Sequence, residues 1–128
     1  MKLGYVIIYT KNVTASVEFY EKAFGLERRF VHESGQYAEM ETGATALAFV
    51  GDELAATNVP TYRKNTPGTE PAGVEVVLVS AELDAAYQRA VAAGATVVKE
   101  PITKPWGQKV GYVLDNNGVL VELATPMA

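Results

Sequence analysis

The stretch that decides the fold is Lys104-Pro105-Trp106-Gly107-Gln108-Lys109-Val110-Gly111-Tyr112-Val113-Leu114-Asp115-Asn116-Asn117-Gly118-Val119-Leu120-Val121-Glu122-Leu123. Its second half predicts a β-hairpin, because two apolar runs flank an Asp-Asn-Asn-Gly turn and these residues tolerate the positive φ that a tight turn needs. Glu122 lies inside the second apolar run, where a carboxylate is costly unless it faces water, a partner or a ligand. The preceding Pro-Trp-Gly predicts a rigid loop that carries the only Trp of the chain.

The N-terminal half predicts the order strand–helix–strand–strand–strand. Four apolar side chains at spacings of four, three and four predict a helix that begins after Asn12, a suitable N-cap, and ends at Gly25. Those side chains are Val13, Val17, Tyr20 and Phe24. Strands are predicted before it over 3–9 and after it over 27–33, 36–41 and 45–50.

The second half repeats this order. It predicts a strand over 73–80, a helix from Leu83 that stops at Gly94, a strand over 95–99, a loop over 101–107 and the closing hairpin. Tyr5 aligns with Glu75 at an offset of 70 positions, and Ala48 aligns with Glu122 at an offset of 74. A repeat of one supersecondary unit indicates two modules of the same fold.

Residues 52–72 connect the halves and contain Pro60, Pro67 and Pro71. A connection this long inside a small protein predicts a linker or a functional lid, with one helical turn over 52–56. We therefore interpret residues 1–128 as one domain, built from modules 1–51 and 73–128 and the linker 52–72.

Composition limits the possible partners and surroundings. The chain is 48% hydrophobic and 20% charged, which is typical of a globular protein. A net charge of −4 without a basic cluster argues against nucleic acid and anionic membranes as partners. With no cysteine there is no disulfide or thiol chemistry, and we expect a cytoplasmic protein with no membrane-spanning segment.

The chain resembles the vicinal oxygen chelate superfamily in three features taken together. These are the two βαβββ units, the helix Ala15-Ser16-Val17-Glu18-Phe19-Tyr20-Glu21-Lys22-Ala23-Phe24-Gly25-Leu26, and the C-terminal Asp-Asn-Asn-Gly-Val-Leu-Val-Glu-Leu. This superfamily includes glyoxalase I, fosfomycin-resistance enzymes, extradiol dioxygenases and bleomycin-resistance proteins. The resemblance implies an α+β fold of two βαβββ modules, each a curved mixed sheet with a helix on its convex face. It also implies concave faces that close around a cavity, and a homodimer that pairs modules within or between chains.

In the enzymes of this superfamily, metal ligands lie near the start of the first strand and near the end of the fourth strand of each module. The repeat places Tyr5, Ala48, Glu75 and Glu122 at these positions. Only the two glutamates are good ligands, histidine is absent from the set, and a catalytic zinc site needs three protein ligands. We therefore expect no metal and no cofactor, which favours the metal-free binding members.

Period-two alternation predicts which strand residues face the cavity. That set is apolar and aromatic, with small alanines and two carboxylates, and such a composition is typical of pockets for organic ligands. It comprises Tyr5, Ile7, Tyr9, Ala46, Ala48, Val50, Glu75, Val77, Val79, Leu120, Glu122 and Ala124. The alternate residues Val6, Ile8, Leu47, Phe49, Val74, Val76, Leu78, Val121 and Leu123 are predicted to pack under the helices.

Three features leave alternatives open. His32, the only histidine, is either a rim residue of an alternating strand or a ligand contact. Glu75 and Glu122 are either solvated or anchor a ligand amine or hydroxyl, and if they lie close together one pKa should rise. Trp106 is either a cap on the sheet edge or a stacking wall for an aromatic ligand.

The sequence thus favours a protein that binds a largely planar organic ligand, for example an antibiotic that it sequesters. The predicted ligand-binding residues are Tyr5, Ile7, Tyr9, His32, Ala48, Glu75, Trp106 and Glu122. The alternative is a glyoxalase-like lyase or an isomerase that acts on a small carbonyl compound, either metal-free or with a weak divalent site. The sequence does not name the ligand.

Overall fold

In the computed structural model, which describes residues 1–127, strands and helices follow the repeated order that the sequence predicts. The first unit, Met1–Asn65, contains β1 (Tyr5–Thr10), α1 (Val13–Phe24), β2 (Arg28–Val31), β3 (Tyr37–Met40), β4 (Ala46–Gly51) and α2 (Asp52–Asn58). The second unit begins at Thr66 and contains β5 (Glu75–Val79), α3 (Leu83–Ala92), β6 (Thr96–Thr103), β7 (Lys109–Leu114) and β8 (Leu120–Ala124). None of the helices among residues 1–127 is long and apolar enough to cross a membrane.

Each unit has one four-stranded mixed sheet, and the two sheets have the same topology. The strand orders are β1-β4-β3-β2 and β5-β8-β7-β6, with the first pair parallel and the others antiparallel. Tyr5 pairs with Ala46 in one sheet, and Glu75 pairs with Leu120 in the other. These registers reproduce the offsets of 70 and 74, so the α+β fold of two βαβββ units is confirmed.

Helix α1 begins and ends where its sequence signals predict. The Asn12 side chain accepts a hydrogen bond from the Ala15 N–H at 2.9 Å, which satisfies one of the free donors at the helix start. Gly25 takes a left-handed conformation with φ 68°, and its N–H caps the Glu21 carbonyl. Both ends of this helix are therefore encoded locally.

The core of the first unit lies between α1 and one face of the sheet. Tyr20 is fully buried, and its ring meets that of Phe49 at 5.0 Å in an edge-to-face contact. Phe49 pairs with Ile8 on β1 and with Ala38 on β3, so these side chains share the helix-covered face. Burial of this face provides the main stabilisation of the unit.

The second unit uses its own sheet in the same way. Tyr87 on α3 donates to the carbonyls of Lys99 and Tyr112, both at 3.1 Å, and its ring lies against Gly111. A side chain at 111 would come within 2.9 Å of that ring. The glycine therefore lets α3 approach β7 closely.

The structure differs from the sequence prediction in three places. β6 continues through Pro101 to Thr103 where a loop was predicted, because β6 is an edge strand and a missing N–H costs little there. Residues 52–58 form a helix, and residues 52–65 of the predicted linker belong to the first unit. Val74 precedes β5 and is 67% exposed, so the prediction that it packs under a helix is wrong. Residue 128 of the predicted second module lies outside the described residues.

Candidate functional site

We use "open face" for the side of each sheet that faces away from α1 or α3. The strand registers place the predicted cavity residues on this side in both units. The open face of the first unit carries Tyr5, Ile7, Tyr9, Ala46, Ala48, Val50, Tyr37, Glu39 and Phe30. The open face of the second unit carries Glu75, Val77, Val79, Leu120, Glu122, Ala124, Val110, Tyr112, Leu114, Lys99 and Ile102.

The second unit's open face brings Glu75, Glu122 and Tyr112 together. Tyr112 lies directly opposite Glu122 across β7 and β8, and Glu75 lies on the neighbouring β5. Burial raises the pKa of Glu75 above its usual value, and a side-chain hydrogen bond with Glu122 and the charge of Glu122 raise it further. Burial also raises the pKa of Tyr112, followed by its hydrogen bond to Glu122. The three groups thus form a cluster in which the neighbouring Glu122 favours the protonated form of Glu75.

A different polar cluster lies on the first unit's open face. The Tyr37 hydroxyl donates to Glu39 Oε2 at 2.6 Å, and the Arg29 guanidinium lies 3.1 Å from Glu39 Oε1. Arg29 also bonds Glu41 at 2.6 Å. Burial, and then the contact with Glu39, raises the pKa of Tyr37 to about 12, so this phenol stays protonated as a hydrogen-bond donor.

The two clusters differ in charge balance. Arg29 compensates the nearly buried Glu39, which is 8% exposed. Among residues 1–127, neither Glu75 nor Glu122 forms an ion pair. This carboxyl pair is therefore the less compensated of the two acidic clusters and the better match for a cationic or hydroxyl-bearing ligand.

The predicted ligand-binding residues of the first unit differ in how far their side chains are exposed to solvent. Tyr5 is 58% exposed and Ile7 is 44% exposed, whereas Ala48 is fully buried beneath its neighbours. Tyr9 is half-buried, because the ring of Tyr62 packs against it edge-to-face at 4.9 Å. Tyr5 and Ile7 thus offer an apolar surface to a ligand, and residue 62 covers the end at Tyr9.

His32 belongs to the β2–β3 turn. Its backbone N–H bonds the Tyr37 carbonyl at 2.8 Å, and its ring Nδ1 lies 2.8 Å from Ser34 Oγ and 3.0 Å from the Ser34 N–H. The Ser34 N–H must donate to Nδ1, so that nitrogen carries a lone pair. The imidazole therefore organises an exposed turn, and its remaining ring nitrogen is the atom left for a ligand.

Trp106 lies at the tip of the β6–β7 hairpin. The Gly107 N–H bonds the Lys104 carbonyl at 2.9 Å, and Gly107 has φ +93°, as in a tight turn followed by a glycine bulge. The indole N–H donates to Gln108 Oε1 at 3.0 Å, and the indole is 62% exposed. Pro105, Trp106 and Gly107 thus form a tight hairpin turn, with the Trp ring largely in solvent.

Within the second unit, Trp106 and the carboxyl pair lie at opposite ends of the open face. Glu75 pairs with Leu120, which pairs with Leu114, six residues along β7 from Gln108. At about 3.4 Å per residue, the separation from Gln108 along the strands is roughly 20 Å for Glu75 and roughly 14 Å for Glu122, which lies opposite Tyr112. A compact ligand bound at Glu75 does not reach the indole of the same unit.

The donor set does not fit an ordinary transition-metal site. The four positions that the superfamily uses hold a phenol, a methyl group and two carboxylates. No group of three or more Asp, Glu or His side chains suited to a metal occurs in the described chain. A two-carboxylate set lacks the third protein ligand of a catalytic zinc site.

Sequence reasoning missed Glu39 and named Tyr112 as a possible ligand contact without placing it on a face. Glu39 and Tyr112 occupy equivalent positions in the repeat, since Glu39 pairs with Ala48 and Tyr112 pairs with Glu122. The alternation that assigned the faces of β1, β4, β5 and β8 would have found both, if extended across the hairpins to β3 and β7.

Comparison with known proteins identifies the family. The sequence pattern of the Glyoxalase/Bleomycin resistance protein/Dioxygenase superfamily matches residues 2–123. The chain belongs to this superfamily. No curated protein matches it significantly.

Solved structures share the superfamily fold with this chain. A glyoxalase-related enzyme from Fulvimarina pelagi superposes with a TM-score of 0.84 at 20% identity, covering 98% of this chain and 88% of that one. A glyoxalase/bleomycin resistance protein/dioxygenase family enzyme from Burkholderia phytofirmans PsJN gives 0.83 at 21% identity and 98% coverage of both chains. A glyoxalase/bleomycin resistance protein/dioxygenase from Nocardioides gives 0.73 at 27% identity, covering 98% and 83%.

Proposed function

We propose that this superfamily member binds a largely planar organic molecule that carries a basic or hydroxyl group. The observation that supports this most directly is the carboxyl pair Glu75–Glu122, which shares an apolar open face with Tyr112 and has no cationic side chain as its ion-pair partner in the described chain. Val77 and Leu120 supply apolar surface for a flat ring beside the pair. A planar antibiotic with an amine has this chemistry, and a protein that sequesters it would confer resistance.

The charge of the pair defines how the ligand is recognised. An ammonium group placed between the two carboxyl groups favours the ionised form of Glu75, so binding releases the proton that Glu75 holds. The Tyr112 side chain lies opposite Glu122 across β7 and β8, where its hydroxyl is available to the same ligand. Binding of an amine should therefore tighten as pH rises through the titration of Glu75.

A matched ligand screen tests the anchor. We expect planar aromatic compounds that carry an ammonium group to bind. Neutral compounds of the same shape should bind more weakly when calorimetry measures both sets. Glu75→Gln or Glu122→Gln should weaken amine binding about 10- to 100-fold, the range for a hydrogen bond to a charged group. Glu53→Gln, an exposed change on α2, is the control. Equal affinity for amines and their neutral counterparts would disprove the carboxyl anchor.

Trp106 has a separate part in this proposal. Its indole bonds Gln108, which shares the open face with Val110 by alternation, so it can stack on the far end of a long ligand. For a ligand that spans the roughly 20 Å between Glu75 and Trp106, Trp106→Ala should weaken binding by about 2–4 kcal/mol. For a compact amine the same change should have no effect, and calorimetry with both ligand lengths separates the two cases.

A metal-free isomerase is the second candidate, because Glu75 keeps its proton to a higher pH than an ordinary carboxyl group. In this reaction, Glu75 in its ionised form takes a proton from the carbon next to a carbonyl, and Tyr112 donates a hydrogen bond to the oxygen that becomes negative. The proton on Glu75 exchanges with solvent, and Glu75 then returns a solvent-derived proton to a carbon of the substrate. Solvent deuterium entering small ketones and 2-oxo acids, followed by NMR and lost in Glu75→Gln, would establish this activity. No exchange above the variant's rate would dismiss it.

A further inference from the structure

Residues 59–65 follow α2 and cross the edge of the first unit's open face, and we call this segment the strap. No residue of the strap belongs to a helix or strand. Its half-buried residues are Val59, Tyr62 and Asn65, and those between them are exposed. The strap is therefore positioned by a few side chains rather than by a sheet ladder.

Side-chain contacts of Tyr62 and Asn65 hold the strap to its own unit. The Tyr62 hydroxyl donates to Asp52 Oδ1 at 2.7 Å, at the first residue of α2. The Tyr62 ring packs edge-to-face on the Tyr9 ring at 4.9 Å. The Asn65 side-chain N–H donates to the Tyr9 carbonyl at 2.9 Å. The Tyr62 ring and the Asn65 side chain thus both contact Tyr9, one of the ligand-binding residues that the sequence predicts.

The position of Tyr9 gives the strap a consequence for binding. Tyr5, Ile7 and Tyr9 lie in one row along β1, and only Tyr9 is covered by the strap. If Tyr62 moved away, the row would present a continuous apolar strip of roughly 13 Å, at about 3.4 Å per residue. With Tyr62 in place, the strip ends at Ile7.

We propose that the strap is a gate on the first unit's open face, and that Tyr62 determines how long a flat ligand can be on that face. This inference rests on the proposed ligand-binding function and deepens it. The Tyr62–Asp52 hydrogen bond is the latch, because it ties the ring to α2 rather than to the sheet that the ring covers. Segments outside helices and sheet ladders open at lower free-energy cost than the elements beside them, and lids are drawn from such segments.

Trypsin measures how often the gate opens. Arg63 and Lys64 lie in the strap and are exposed, so cleavage after either residue requires only local release of the strap. Tyr62→Phe keeps the ring and removes the latch, and it should speed cleavage at these sites by about tenfold or more. Tyr37→Phe is the matched control, because it removes a tyrosine hydrogen bond to a carboxylate of β3 in the same unit and leaves the bond between Tyr62 and Asp52 intact. Unchanged cleavage in Tyr62→Phe, or equal acceleration in Tyr37→Phe, overturns the gate.

A planar dye tests whether the gate covers a binding surface. The probe is 8-anilinonaphthalene-1-sulfonate, whose fluorescence reports accessible apolar surface. Tyr62→Ala should bind more dye than the parent, and Tyr9→Ala in the same chain should remove the gain. Equal dye binding by Tyr62→Ala and the parent overturns the inference that Tyr62 shields ligand surface. The proposed function fails by a different result, namely amine binding that Glu75→Gln and Glu122→Gln leave unchanged, whatever the strap does.

Discussion

At the scale of single residues, the contact between Glu75 and Glu122 links ligand chemistry to stability. Glu75 has an ordinary pKa of 4.5 in the unfolded chain and a raised pKa in the fold. The folded state therefore binds more protons above pH 4.5, and its free energy of unfolding falls as pH rises through this window. At neutral pH the carboxyl pair therefore lowers the free energy of unfolding, as expected of a site whose residues serve binding rather than stability.

A pH series tests this linkage. Glu75→Gln removes the titrating group. The melting temperature of the variant, minus that of the parent, should therefore increase as pH rises from 4 to 8. Because Glu75 is exposed to solvent in part, a gain of about 1–2 °C is expected. Glu53→Gln should show a constant difference from the parent over the same range. A constant difference for Glu75→Gln as well would mean that its pKa is the same in both states.

Gly118 shows what local sequence signals encode and what they leave out. The Asp-Asn-Asn-Gly turn was predicted, and Gly118 has the positive φ of +81° that its position requires. The structure adds a close approach, since a side chain at 118 would lie 2.8 Å from the Thr66 carbonyl oxygen. Thr66 is distant in sequence, so no local pattern predicts this contact.

Replacing this glycine should be costly for two reasons. Gly118→Ala places a side chain in a left-handed conformation and against the Thr66 backbone, so we expect a loss of about 2–3 kcal/mol in the free energy of unfolding. Gly73→Ala is the control, because no atom lies within 4 Å and its φ is not positive. Urea unfolding compares the two. A loss below about 0.5 kcal/mol for Gly118→Ala would contradict the close approach.

At the scale of elements, the two main helices begin differently. Asn12 caps α1 through a side-chain hydrogen bond, whereas Glu82 at the start of α3 makes no such bond. Asn12→Ala should therefore cost about 1 kcal/mol of stability. Glu82→Ala should change it by less than about 0.5 kcal/mol, and Asn12→Ser should restore most of the loss. Urea unfolding in which both alanine variants lose the same amount would show that the cap is unimportant.

Element boundaries were predictable where the chain carries local signals. The caps of α1 and the final turn are such signals, and both were located correctly. The predicted strand 95–99 ends before Pro101, whereas β6 continues to Thr103. Proline disfavours a strand unless the strand lies at the edge of a sheet. The edge position of β6 is a property of the assembled sheet, so local sequence does not reveal it. The strap was predicted only as a linker or lid, since the contact between Tyr62 and Tyr9 joins segments far apart in sequence.

At the scale of the whole molecule, the internal repeat made the fold predictable and left the function open. The sequence offsets between the two halves, 70 from Tyr5 to Glu75 and 74 from Ala48 to Glu122, matched the registers of the paired strands. The superfamily places several chemistries on this fold, so function depends on a few open-face side chains. Sequence located Glu75 and Glu122, but their proximity to Tyr112 and the roughly 20 Å between Glu75 and Trp106 follow from sheet register.

The exposed open faces predict how many copies of the chain associate. Tyr5, Ile7, Val77 and Val79 are between 44% and 62% exposed, and apolar surface of this kind is typical of an interface. We expect a homodimer in sedimentation experiments at micromolar concentration. Ile7→Asp puts a charge on the open face and should shift the protein to monomer, because burying that charge is unfavourable. Thr14→Asp, which adds the same charge on the exposed side of α1, should leave the dimer intact. A parent protein that sediments as a monomer would mean that the open faces serve ligands without a second chain.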